Sequence, residues 1–254
     1  MCLITFAYKK HPSYALILLA NRDEFYGRST RKAQFWVEEG HPDVLAGKDL
    51  EAGGTWMGVN KNGRWAALTN YRDLTDLKEN PPSRGDLALN FLKSNQSASQ
   101  YLSSIQNNAH LYNGFNLLIG DKEDILHYSN YSNLTTTITP GIHGVSNALL
   151  NTPWPKLEIA KSGLTKSIEQ NAIDKNSLFD ILMNETKAQE TELPETGLTK
   201  EMERAISSIF INTKNYGTRC STLLLIHNSG NIEYVERRYE PNSTIVIEEQ
   251  SFQL

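Results

Sequence analysis

The sequence predicts an α+β fold in which sheet packs on sheet and the helices lie outside. Two observations predict it: the strands occur as antiparallel hairpins, and the helical segments occur in separate blocks between them. A third is the run 15–20, which is apolar on both faces, as is typical of a strand covered on both sides. Because no linker-like composition and no internal repeat interrupts the chain, residues 1–254 are expected to form a single domain.

Turn residues between apolar runs define the predicted hairpins. Asn62-Gly63 separates two such runs, and Asn-Gly in this position is a strong hairpin signal. Similar polar turns lie at residues 9–13, 121–123 and 228–230. The predicted strand pairs are 2–8 with 14–22, 55–60 with 64–70, 115–120 with 124–129, and 221–227 with 231–239, followed by a last strand near 243–249.

Helical spacing of apolar residues predicts the blocks between the hairpins. Ser83 as N-cap, with Asp86 three residues on, forms a weakened capping box for a helix that runs to residue 92. Apolar positions from 155 to about 184 predict a second helical block, whereas the polar segment 185–200 predicts a loop. The remaining predicted helices are 97–107 and 199–210.

Composition excludes several classes of protein. The formal charge of −4, from 25 basic and 29 acidic residues, gives no electrostatic basis for binding nucleic acid. Two cysteines outside any CxxC pattern, and histidines without ligand spacing, predict neither a disulfide framework nor a metal site. No apolar run approaches the ~20 residues of a membrane span, and no export signal is visible. A cytoplasmic protein without a cofactor is expected.

Cys2 is the candidate nucleophile. A small residue after Met1 is compatible with removal of the initiator methionine, which would place a thiol and a free α-amine on one residue. The α-amine has a reference pKa of about 7.7–8.0, so it can act as a general base at neutral pH. Activation of a nucleophile by its own terminal amine is an established arrangement.

The first hairpin predicts the surroundings of this thiol. If its turn is centred near Pro12, residues whose numbers sum to 24 face each other, so Arg22 lies opposite Cys2 and favours the thiolate. Asp23 would then accept hydrogen bonds from the terminal ammonium group. A register shifted by one residue would bring Asn21 there instead. The alternative interpretation is a buried cysteine beside a strand-end ion pair, with no catalytic role.

Several motifs occur in a specific order along the chain. Met1-Cys2 is followed by the tetrapeptide Asn21-Arg22-Asp23-Glu24. Further motifs lie at residues 53–60, 67–72, 83–85, 144–147, 152–156 and 216–222. The ordered set resembles the NRDE family, which is named for the tetrapeptide and whose animal members are called transport and Golgi organisation protein 2.

That family in turn resembles the N-terminal nucleophile (Ntn) hydrolases of the penicillin V acylase and choloylglycine hydrolase type. The resemblance implies a four-layer αββα sandwich of two mainly antiparallel sheets. It also implies six site residues: Cys2 as nucleophile, Arg22 beside the thiol, Asp23 near the terminal amine, Asn70 and Asn147 as oxyanion amides, and Arg219 as a late active-site arginine. One departure is that Arg22 and Asp23 are adjacent here, whereas those hydrolases separate the pair.

Two functions follow from these residues. The first is an N-terminal-cysteine amidohydrolase or acyltransferase that acts on a small amide or thioester acyl compound. The alternative is a non-catalytic protein on the same fold that binds acyl-CoA, a lipid or haem. The expected partner is therefore a small acyl substrate or ligand, and the sequence does not predict the oligomeric state. Cys220 is interpreted as a buried strand thiol, and a reducing compartment argues against a disulfide with Cys2.

Overall fold

A computed structural model describes residues 3–121, 124–171 and 173–254. Contacts between Cα atoms divide the chain into two compact units. Unit 1 covers Met1–Gly27 and Thr139–Leu254, and unit 2 covers Arg28–Ile138. The single domain expected for residues 1–254 stays a prediction.

The described strands of unit 1 form a six-stranded antiparallel sheet in the order β10-β1-β2-β11-β12-β13. They are β1 (Leu3–Tyr8), β2 (Tyr14–Phe25), β10 (Gly141–Val145), β11 (Tyr216–His227), β12 (Ile232–Tyr239) and β13 (Val246–Gln253). Both faces of β2 are buried from Leu16 to Ala20, which confirms the two-sided burial predicted for this strand.

The described strands of unit 2 form a seven-stranded sheet whose order follows the chain from β3 to β9. They are β3 (Thr30–Trp36), β4 (His41–Asp49), β5 (Met57–Asn60), β6 (Trp65–Asn70), β7 (Phe115–Gly120), β8 (Ile125–Ser129) and β9 (Leu134–Thr137). Each neighbouring pair is antiparallel, so this sheet is a meander.

Helices cover one face of each sheet. In unit 1, α3 (Pro155–Glu169) and α4 (Lys175–Leu182) bury their apolar residues against β1, β2 and β11. In unit 2, α1 (Gly85–Lys93) packs mainly on β5 and β6, and α2 (Ala98–Gln106) packs on β8. The short α5 (Lys200–Ala205) precedes β11. Two antiparallel sheets with segregated helices confirm the predicted α+β class. None of the described helices combines the length and apolar composition needed to cross a membrane.

Some helix boundaries differ from the prediction. Ser83 is not the N-cap of α1: Arg84 holds that position, without a side-chain cap, and the Ser83 carbonyl accepts a hydrogen bond from the Asp86 N–H. The block 155–184 is two helices, because Asp174 caps a new helix by accepting from two backbone N–H groups. The last predicted helix ends at Ala205, five residues early.

Candidate functional site

The Asn21–Glu24 tetrapeptide lies near the end of β2 and is divided between the two faces of the sheet. Successive strand residues point to opposite faces, so Asn21 and Asp23 share the face covered by helices, and Arg22 and Glu24 share the other. Arg22 is 3% exposed, and its Nη2 atom lies 4.0 Å from Oε2 of Glu24. Because Arg22 and Asp23 are adjacent in the strand, their charges lie on opposite faces of the sheet.

The register between β1 and β2 is the one predicted from the turn. Leu3 pairs with Asn21 and Tyr8 pairs with Leu16, so paired residue numbers sum to 24. The alternative register, shifted by one residue, is not observed. Cys2 itself lies outside the described residues.

Asn21 is a structural residue rather than a site residue. Its Nδ2 atom donates to the main-chain carbonyls of Leu182 and Ile209, both at 2.9 Å, and its Oδ1 accepts from the Ser221 hydroxyl at 2.6 Å. The side chain is fully buried. These bonds join β2 to the end of α4, to the segment before β11 and to β11 itself, which fixes the strand that carries Arg22 and Asp23.

Asp23 is held by a hydroxyl group that the sequence analysis did not single out. Thr218 pairs with Asp23 across β2 and β11, and its Oγ1 donates to Oδ1 of Asp23 at 2.6 Å. Oγ1 of Thr218 also accepts a hydrogen bond from the backbone N–H of Ile211 at 2.9 Å. Both Asp23 and Thr218 are 2% exposed. Thr218 falls within the motif at 216–222, but only the fold shows that it faces Asp23.

Arg219 lies inside β11 and not before it, which corrects the predicted strand start. It occupies a bulge, because Thr218 pairs with Asp23 and Cys220 pairs with Arg22. Its Nη1 atom donates to the carbonyls of Phe25 at 2.9 Å and Tyr26 at 3.1 Å. Burial lowers the pKa of Arg219, and the nearby Arg22 lowers it further. The two arginines therefore concentrate positive charge at one end of this sheet.

Cys220 is the buried strand thiol that the sequence predicted. It is 4% exposed and stands between Arg22 on β2 and Arg238 on β12, on the same face. Burial raises the pKa of this thiol, with a further increase from Glu236 that the two arginines oppose. A thiol held in its neutral form is a poor nucleophile.

The two candidate asparagines belong to different units. Asn147 lies two residues after β10 in unit 1 and is 5% exposed. Asn70 is the last residue of β6 in unit 2, where it is half-buried and pairs with Phe115. In the described part of the chain, no group of three or more histidine, cysteine or acidic side chains is arranged to hold a metal ion.

Unit 2 contains a buried polar chain that sequence reasoning missed. Asn116 donates through Nδ2 to the Thr69 hydroxyl at 3.1 Å, and its Oδ1 lies 3.1 Å from Nε2 of His127. All three side chains are at most 3% exposed. Burial lowers the pKa of His127 to about 4, so the imidazole is neutral at physiological pH.

A solved structure shares this fold. The crystal structure of a variant of the conjugated bile acid hydrolase from Clostridium perfringens matches 100% of this chain and 97% of its own, with a TM-score of 0.52 and 11% sequence identity. The chain thus has an Ntn-hydrolase fold, as the resemblance implied.

The sequence comparisons then give the family. The Transport and Golgi organisation 2 (TANGO2) family model matches residues 1–241. The mouse Transport and Golgi organization 2 homolog is 35% identical over 262 residues, which cover 93% of this chain and 92% of the relative. The human homolog is 35% identical over 260 residues, with the same coverage of both chains. The chain belongs to the Transport and Golgi organisation 2 family, which confirms the predicted family.

Proposed function

We propose that the protein is an N-terminal-cysteine amidohydrolase or acyltransferase that acts on a small amide or thioester acyl compound. The observation that carries the proposal is the register of β1 and β2. If the pairing continues by one residue beyond Leu3 and Asn21, Cys2 would lie opposite Arg22, at a Cβ separation of about 4.5–5.5 Å. A buried guanidinium at that distance would favour the thiolate of Cys2.

The division of the tetrapeptide between two faces suggests separate roles for its charges. Paired residues share a face, so Arg22 would lie on the side of the Cys2 thiol. Asp23 points to the other face, where its carboxylate would bind the α-amine at the chain end rather than the sulfur. The adjacency that sets this chain apart from the related hydrolases is compatible with both roles.

The proposed reaction needs the acyl substrate and an acceptor for the acyl group, which is water in the hydrolase and a second nucleophile in the acyltransferase. Once Met1 is removed, the α-amine of Cys2 takes the thiol proton, and the sulfur attacks the acyl carbonyl. The proton then passes to the leaving amine or thiol as its bond to the acyl group breaks. Water or a second nucleophile attacks the resulting thioester, and the Cys2 thiol is regenerated. Asn147, which lies in the same unit, would donate to the oxyanion, a contribution worth about 10²–10³ in rate, and the role of Asn70 stays a prediction.

The comparisons support a hydrolase or acyltransferase type of fold without naming a reaction. The structural relative is a hydrolase of conjugated bile acids, and its low identity to this chain supports the fold alone. The mouse and human relatives carry a transport and organisation name instead. That name states no reaction, so it is compatible with the second candidate, a non-catalytic binder of acyl-CoA, a lipid or haem. The cytoplasmic location also stays a prediction.

Covalent labelling tests the first candidate. Intact-mass measurement of protein from its native host should show loss of Met1, since retained Met1 blocks the α-amine. A thioester or lactone probe should then acylate the wild type and the Cys220→Ser variant equally, and should not acylate Cys2→Ala. Cys220→Ser is the matched control because it removes the second thiol of the chain. Equal labelling of wild type and Cys2→Ala would exclude Cys2 as the nucleophile.

Ligand titration separates the second candidate from the first. A binder should show saturable binding of acyl-CoA or haem that survives Cys2→Ala, with no turnover of a thioester. Absence of saturable binding, together with Cys2-dependent acylation, would reject the binder in favour of the enzyme.

A further inference from the structure

We propose that Thr218 is a positioning residue: its hydroxyl aims the Asp23 carboxylate at the terminal amine of Cys2. The inference rests on the proposed function, because it gives Thr218 a part in the same reaction. Thr218 does not touch the thiol side of the sheet, since it shares the helix-covered face with Asp23. It would act on the chemistry only through that carboxylate.

The Thr218 hydroxyl accepts one hydrogen bond and donates another, and these two bonds fix its orientation. The backbone N–H of Ile211 already donates to Oγ1 at 2.9 Å, and the Thr218 N–H donates to the Ile211 carbonyl at 2.8 Å. The threonine is thereby fixed to the neighbouring segment, and its proton points to Oδ1 of Asp23 at 2.6 Å. Since Oδ1 accepts this bond, rotation of the carboxylate would break a short buried hydrogen bond to a charged acceptor.

A fixed orientation of the Asp23 carboxylate would matter for its binding of the terminal ammonium. The chain neighbours Arg22 and Glu24 lie on the opposite face of the sheet, while Tyr26 interacts electrostatically with both Asp23 and Arg219. Burial raises the pKa of Tyr26, and Asp23 contributes to that increase. A carboxylate free to turn would hold the terminal ammonium less well, because its oxygens would no longer be fixed in one direction.

The fold supplies a matched control three residues away on the same strand. The Ser221 hydroxyl donates to Asn21 at 2.6 Å and accepts from the Tyr239 hydroxyl at 3.0 Å. Thr218 and Ser221 therefore make equally short buried bonds from β11 to the tetrapeptide. They differ in their acceptor, which is the proposed site residue Asp23 in one case and the structural residue Asn21 in the other.

The experiment measures the rate of Cys2 acylation by a thioester probe across pH, in full-length protein from which Met1 has been removed. Thr218→Val should slow acylation about tenfold, the effect of one lost hydrogen bond to a charged group. It should also move the midpoint of the pH profile by about half a unit or more. Thr218→Ser should restore both values. Ser221→Ala should lower the melting temperature while leaving the midpoint in place.

A double-mutant cycle decides whether Thr218 acts through Asp23. Thr218→Val should add no further effect in an Asp23→Asn background, because the acceptor has already lost its charge. The inference is overturned if Thr218→Val matches Ser221→Ala or if its effect persists in that background. If Thr218→Val does not fold by circular dichroism, Thr218→Ala takes its place in the cycle. Equal acylation of wild type and Cys2→Ala, measured without any Thr218 variant, instead rejects the proposed function and the inference with it.

Discussion

Acidification from about pH 7.5 to about pH 5 is expected to lower the free energy of unfolding by about 2 kcal/mol through His127 alone. The imidazole lies in the buried polar chain of unit 2, where Nε2 is 3.1 Å from Oδ1 of Asn116. Asn116 donates in turn to the Thr69 hydroxyl. This geometry provides a neutral acceptor for one ring N–H, and an amide oxygen stabilises an imidazolium less than a carboxylate would.

The sign and size of the effect follow from the pKa. Burial lowers the pKa of His127 from 6.5 to about 4 in the folded protein. As the pH falls, the unfolded chain therefore binds the proton first. The stabilisation by neutral His127 is complete above the unfolded pKa and is lost as the pH falls towards the folded pKa. The full shift corresponds to about 3 kcal/mol, of which about 2 kcal/mol is lost by pH 5.

Urea unfolding of wild type and His127→Gln at the two pH values measures this quantity. The wild type should lose about 2 kcal/mol more than the variant between about pH 7.5 and about pH 5. His143→Gln is the control, because His143 is half-buried and bonds to a carbonyl at 2.9 Å from its Nε2 atom. The reasoning fails if wild type and His127→Gln lose stability in parallel.

Three further predictions concern stability. Asn21→Ala should lower the free energy of unfolding by about 3 kcal/mol in urea titration, since two buried carbonyls lose their donor; a loss below about 1 kcal/mol would contradict the structural role. Gly217→Ala should cost about 2 kcal/mol, because a Cβ there would lie 2.2 Å from the Tyr26 hydroxyl oxygen, and an unchanged melting temperature would show that this contact relaxes freely. Burial alone would raise the pKa of Glu233, but the hydrogen bond from His227 contributes to a net lowering. Glu233→Gln should therefore be destabilising by about 1 kcal/mol above about pH 4.5, and the difference from wild type should vanish as the pH falls through the lowered pKa; a difference independent of pH would refute this.

The strands that could be predicted are those whose side chains alternate between apolar and polar or are uniformly apolar. The β1–β2 register could be derived because the turn near Pro12 and the apolar runs on both sides agree. By contrast β9 is exposed throughout its length and carries no apolar pattern. β4 includes Pro42 and Gly47, residues that sequence reasoning places in turns, and its pairing with β3 is irregular.

The candidate site was predictable only in part, for a related reason. Arg22 and Asp23 could be singled out because they sit in a short distinctive motif. The role of Thr218 could not, because its partner Asp23 is 195 residues away in the chain. The first part of β11 is polar, so its periodicity gives no strand signal, and its pairing with the end of β2 arises from the tertiary fold.

The strand order also predicts the redox behaviour of the two cysteines. If Cys2 continues β1 as proposed, β2 separates it from Cys220, because the order in this sheet is β1-β2-β11. Two strand spacings amount to about 9.5 Å, whereas a disulfide requires Cα atoms closer than about 7 Å. The folded protein should therefore form no Cys2–Cys220 disulfide after treatment with oxidised glutathione, as measured by alkylation in denaturant followed by intact mass; a mixed disulfide of Cys2 with glutathione, which adds the mass of one glutathione, agrees with this expectation. Loss of two hydrogens with no alkylation would mean that the cysteines pair, and that Cys2 does not lie opposite Arg22. The register that supports the catalytic proposal thus excludes the disulfide, so a single oxidation experiment tests the geometry on which the proposed function depends.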